Sequence, residues 1–61
     1  MNKEIYTVEE VAEYLGVKRL FITKILREGK LKGSKLGKIW RIQKTDIILY
    51  LESNKQEEKS E

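Results

Sequence analysis

Val11-Ala12-Glu13-Tyr14-Leu15-Gly16-Val17-Lys18-Arg19-Leu20-Phe21-Ile22-Thr23-Lys24-Ile25 is the stretch that decides the fold. Gly16 marks a corner between two short helices, because a tight turn there needs a residue that takes a positive φ without a Cβ penalty. Val11 and Leu15 precede the corner, and Val17, Ile22 and Ile25 follow it. These five apolar positions are expected to close a core beneath the two helices. Ala12 is expected at their closest approach, where a large side chain has no room. Seven positions therefore agree with one arrangement, a helix, a turn and a second helix.

Upstream, Thr7-Val8-Glu9-Glu10 reads as a capping box, with Thr7 accepting from the Glu10 backbone and Glu10 reaching back. Glu9 and Glu10 also suit the positive end of the helix dipole. Tyr6 and Val11 stand at the staple positions, so the first helix is expected over Val8–Leu15 with Val8, Val11, Ala12 and Leu15 on one face. Ile5-Tyr6 reads as an apolar pair outside the helix, and residues 1–4 as loose. The second helix is expected over Lys18–Glu28, ended by Gly29. Ile22, Ile25 and Leu26 face inward in this register, and Lys18, Arg19, Thr23, Lys24 and Arg27 face out. Leu20 also points outward, and Phe21 sits at the edge, expected to fold down onto Ile25 or the following hairpin.

From Leu31 the period becomes strand-like. Gly33–Leu36 and Ile39–Ile42 flank Gly37-Lys38, a two-residue hairpin turn. Leu36, Trp40 and Ile42 are expected to supply its buried bulk, with Ile39 near the tip. Lys35, Lys38 and Arg41 give it a basic surface. A third helix is expected from Lys44 or Thr45 to about Ser53, with Ile47, Tyr50 and Leu51 facing in. Ile48 and Leu49 widen its apolar surface beyond what one small core requires. Residues 54–61 are polar, charged and aperiodic, the composition of a disordered tail.

The 61 residues make one small domain with a net charge of +3. A chain this short buries only about 60% of its extended surface, so its stability margin is thin. That net charge is unevenly distributed. Between residues 18 and 44, ten basic side chains face a single acidic one, Glu28, whereas both flanks are net acidic. Such a block points to a polyanionic partner. With neither Cys nor His, the chain has no disulfide, no soft-metal site and no histidine base. No nucleophile has an activating partner, so no catalytic residues, no metal site and no cofactor are expected, and the chain does not read as an enzyme. No apolar run approaches the roughly 20 residues of a membrane span, and no signal-like start is present, so no membrane partner and a cytoplasmic, nucleoid-associated location are expected. Gly33-Ser34-Lys35-Leu36-Gly37-Lys38 is not a phosphate loop: three residues separate its glycines instead of four, and a strand follows.

Thr7–Ala12, Leu15-Gly16-Val17, Arg27–Leu31, Leu36-Gly37-Lys38, Trp40-Arg41-Ile42 and the Asp46–Leu51 helix, in this order and spacing, resemble the excisionase-type winged helix-turn-helix family, related to the DNA-binding domains of MerR-type regulators. The resemblance spans about Tyr6 to Leu51. It implies a small α+β winged helix-turn-helix over residues 1–53, with the second helix in the major groove of double-stranded DNA and the hairpin, or wing, at the adjacent minor groove. Major-groove contacts would fall on Arg19, Thr23 and Lys24, backbone contacts on Arg27, and wing contacts on Lys38 and Arg41, with Lys18 and Lys35 adding charge on either element. Trp40 matches an aromatic that is usually structural. Two positions depart from the family pattern. Lys18 stands where Ser or Thr often caps the second helix, and Leu20 and Phe21 replace small polar residues.

The function this implies is DNA binding and bending as an excisionase, with an integrase or neighbouring copies of the chain as further partners. A small transcriptional regulator is the alternative within DNA binding. The long coiled coil that follows the domain in MerR-type dimers has no counterpart in residues 54–61, so that mode of dimerisation is not expected. From another class, Leu20, Phe21, Ile48 and Leu49 suit a protein–protein adaptor.

Overall fold

The structure is a computed structural model and describes residues 3–54. Its elements follow in the order β1 (Ile5–Tyr6), α1 (Val8–Leu15), α2 (Arg19–Arg27), β2 (Ser34–Leu36), β3 (Ile39–Gln43) and α3 (Lys44–Ser53). This is a small α+β architecture of three helices and a three-stranded antiparallel sheet in the order β1-β3-β2.

The capping box at the start of α1 is formed. Glu10 N donates to Thr7 Oγ1 at 3.1 Å, and Thr7 N donates to Glu10 Oε1 at 2.9 Å. A hydrogen bond from Lys3, helped by the Thr7 N–H, holds the Glu10 carboxyl below its ordinary range. Gly16 takes φ +74°, and Val17 N reaches back to Ala12 O at 3.0 Å, closing the helix. Gly29, at φ +80°, closes α2 in the same way: its N–H donates to Leu26 O and the Lys30 N–H to Ile25 O, a Schellman motif. Both helix ends were thus written locally. The boundaries of α2 are one residue inside the expected Lys18–Glu28, with those two residues as its caps.

Val11, Ile22, Leu31, Ile42 and Ile47 are the largest fully buried side chains, joined by Tyr6, Val8, Ala12, Ile25 and Leu26. Leu15, Trp40 and Tyr50 pack against this cluster from its margin. Ala12 is buried on the face of α1 that also carries Val8 and Val11, and α2 is the principal neighbour of α1. Leucine at position 12 therefore overfills the core. Ala12→Leu is expected to cost about 1–3 kcal/mol, a fall of roughly 4–24 °C in a circular-dichroism melt. An unchanged midpoint would refute the close crossing.

Several expectations give way to the geometry. Val17 does not join the core: it follows the corner directly, and its side chain is 38% exposed. Ile5-Tyr6 is not an isolated pair but a third strand, with Tyr6 opposite Ile42 and Ile5 opposite Gln43. Residues Lys3 and Glu4 are held rather than loose. The Lys3 backbone N–H donates to the Tyr6 hydroxyl at 3.0 Å, and Glu4 O accepts from Lys44 N at 2.9 Å. Leu36 pairs with Ile39, which puts both on the ladder face opposite Trp40 and Ile42; Leu36 is exposed rather than buried. Ile39 lies beside the turn, as expected.

Leu51 is also exposed, because α3 meets the small sheet chiefly along β3 and the contact is narrow. Ile47 and Tyr50 fill it, and Leu51 falls past its edge with Ile48 and Leu49. Asn54, read as the first residue of a tail, caps α3 and donates to Tyr50 O at 2.7 Å. The rest of the expected tail, 55–61, lies outside the described residues. No helix among the described residues is long and apolar enough to cross a membrane.

Candidate nucleic-acid interface

α2 buries Ile22, Ile25 and Leu26 and turns its remaining surface outward. Lys18, Arg19, Lys24 and Arg27 are exposed, and Thr23 is half-buried. The Thr23 hydroxyl donates to Leu20 O at 3.0 Å, which leaves its oxygen free to accept. Leu20 is 72% exposed and neighbours Thr23 and Lys24 at the i+3 and i+4 positions, so it stands at the middle of the basic face. Phe21 does not fold down completely and keeps 40% of its surface exposed.

The hairpin is set against α2 by Gly33. A Cβ there would lie 2.9 Å from Leu26 Cδ2 and 3.3 Å from both Arg41 O and Ile42 Cγ1, so only glycine lets the strand approach so closely. Gly37 has φ +64° and Lys38 does not take a positive φ, the signs of a type II′ turn. In the ladder Ser34 pairs with Arg41, Lys35 with Trp40 and Leu36 with Ile39. Lys35 and Trp40 therefore share one face, with the Lys35 ammonium 5.7 Å from the ring centroid, and Arg41 projects from the other. The three wing cations are thus divided: Lys35 is drawn toward the indole, Lys38 occupies the turn, and Arg41 is exposed on the opposite face.

The two elements converge. Arg19 from α2 and Lys38 from the wing line a single cleft of about 280 Å³, with Thr7, Val8 and Glu9 of the α1 N-terminal region and Ile39 and Trp40 completing it. A family profile described as a helix-turn-helix domain matches residues 5–55. The chain belongs to the helix-turn-helix domain family. No curated protein and no solved structure gave a match.

In this helix-turn-helix domain the hairpin beside α2 is the wing of a winged arrangement, and DNA is the partner that such a domain implies. The second helix starts at Lys18 without a side-chain cap, so the departure noted in the sequence is real. One feature of the site was not anticipated. Arg19 Nε donates to Glu9 Oε2 at 3.0 Å, across the turn and ten residues away. The sequence did show Glu9, but as a helix-dipole residue; only the packing of α1 on α2 brings it beside Arg19.

Proposed function

We propose that this helix-turn-helix domain binds double-stranded DNA with sequence preference, α2 in the major groove and the wing at the neighbouring minor groove. The convergence of Arg19 and Lys38 on one cleft carries this reading, since a single duplex can then meet both. Arg19 and Lys24 read base edges, with Thr23 offering a hydroxyl and a methyl. Leu20, at the centre of the same face, suits a thymine methyl. Lys18, Arg27, Lys35, Lys38 and Arg41 hold phosphates, and a phosphate near Lys18 would also satisfy the uncapped end of α2.

The role this binding serves is architectural. It acts as an excisionase, placing neighbouring copies on bent DNA for an integrase, without catalysis of its own and with the nucleoid as its location. The excisionase-type resemblance, which spans about Tyr6 to Leu51, supports this finer reading. Bending assays on phased sites separate it from transcriptional regulation: a bend favours excision, and a single unbent promoter site favours regulation. An adaptor role rests on the exposure of Leu20 and Phe21 on α2 and of Ile48 and Leu49 on α3.

Arg19→Ala and Lys38→Ala distinguish base reading from phosphate holding. The first should flatten preference at one base pair by about 1–3 kcal/mol, and the second should weaken all duplexes alike and reduce the salt slope by about one. Equal losses with preference unchanged would count against the groove assignment. Fluorescence anisotropy on a library-selected duplex and its single-base variants measures both.

A further inference from the structure

We infer that Glu9 is a positioning residue that makes Arg19 a reader of bases rather than a holder of phosphates; this rests on the DNA-binding reading above. The observation is one of atoms. Glu9 Oε2 accepts from Arg19 Nε at 3.0 Å, so the guanidinium is held by its inner N–H. An arginine has five N–H donors in a rigid fork, and the four on the two Nη atoms stay free in this arrangement. Two of them, one from each Nη, match the O6 and N7 acceptors of guanine.

The carboxylate acts in a second way. It neutralises Arg19 locally, which weakens the attraction of that side chain for a phosphate at any position along a duplex. The donor geometry needed for a base edge is unaffected. The Glu9 backbone is itself fixed, being in the first turn of α1 two residues after the Thr7 cap. It lines the same cleft as Arg19 and Lys38, so its charge lies within the surface a duplex would cover. A carboxylate there opposes binding to DNA in general, and the hydrogen bond to Arg19 gives it a use. Both partners are more than half exposed, so the pair adds little to folding and its effect belongs to binding.

The test compares Glu9→Ala, Glu9→Gln and, as a charge control one turn further along the same helix and outside the cleft, Glu13→Gln. Each is titrated by anisotropy with a duplex selected from a randomised library and with an unselected duplex of equal length, after a circular-dichroism melt shows it folded. Glu9→Ala should bind the unselected duplex more tightly and lose about fivefold in discrimination, the factor that matches a pair worth about 1 kcal/mol. Glu9→Gln should tighten unselected binding similarly but lose clearly less discrimination than Glu9→Ala, because the amide oxygen still accepts from Nε although the charge is gone. Glu13→Gln should leave discrimination as it was. In an Arg19→Ala background, Glu9→Ala should have no further effect on discrimination.

Wild-type discrimination in Glu9→Ala, or equal losses in the Ala and Gln variants, would overturn the assignment. An unaltered chain that binds no duplex would overturn the DNA-binding reading as well, and the wild-type titration alone reveals that case.

Discussion

Raising salt from about 50 to about 200 mM should weaken duplex binding by roughly 500-fold. The figure follows from the cations assigned to phosphates. If about five phosphates are neutralised, by Lys18, Arg27, Lys35, Lys38 and Arg41, each releases condensed counterions, and log K falls against log salt with a slope near −4.5. An apolar partner bound through α3 would hardly respond to the same change. The measurement is a titration series at four or five salt concentrations. A slope shallower than about −2 would mean that the basic block between residues 18 and 44 does not lie along a phosphate backbone.

Ile42→Ala should unfold the domain or nearly so. Ile42 is fully buried in the central strand, opposite Tyr6, and its Cγ1 comes within 3.3 Å of where a Gly33 Cβ would be. Removing its three outer carbons leaves a cavity in the middle of the core, a cost of about 2–5 kcal/mol. At about 0.05–0.15 kcal/mol per residue, a chain this size has a total stability of only about 3–9 kcal/mol. Urea unfolding followed by circular dichroism decides the matter. Arg41→Ala, on the same strand but facing out, should shift stability by no more than about 0.5 kcal/mol. Near-equal midpoints for the two variants would show that β3 is not the centre of the core.

What was legible in the sequence was mostly local. The Thr7–Glu10 box, the corner at Gly16, the stop at Gly29 and the turn at Gly37-Lys38 each depend on a few neighbouring residues, and each appears where their chemistry requires. The inward face of α2 was also legible, because Ile22, Ile25 and Leu26 repeat at helical spacing. What could not be read depended on partners far along the chain. Ile5-Tyr6 has too few residues to show a strand period, and only Ile42 and Gln43, more than thirty-five positions later, make it one. Leu36 and Leu51 are apolar residues whose exposure is set by ladder register and by the width of a helix–sheet contact. Their types do not reveal this.

The candidate interface divides along the same line. That Arg19, Lys24 and Arg27 belong outside α2 follows from its periodicity. That Arg19 meets Glu9, and shares a cleft with Lys38, follows only from the packing of three elements. The division of Lys35 from Arg41 is likewise a matter of pairing: residues opposite Trp40 and Ser34 must project to different sides.

Pairing of β1 with β3 has a consequence for handling the protein. β3 is a strand of the wing, and among the described residues a strand of only two, Ile5 and Tyr6, covers its other side. Displacing them bares a row of backbone donors and acceptors that a second chain can complete. A fusion joined immediately ahead of Ile5 therefore invites exchange of strands between molecules, whereas one joined after Asn54 departs from a helix end and leaves that seam closed.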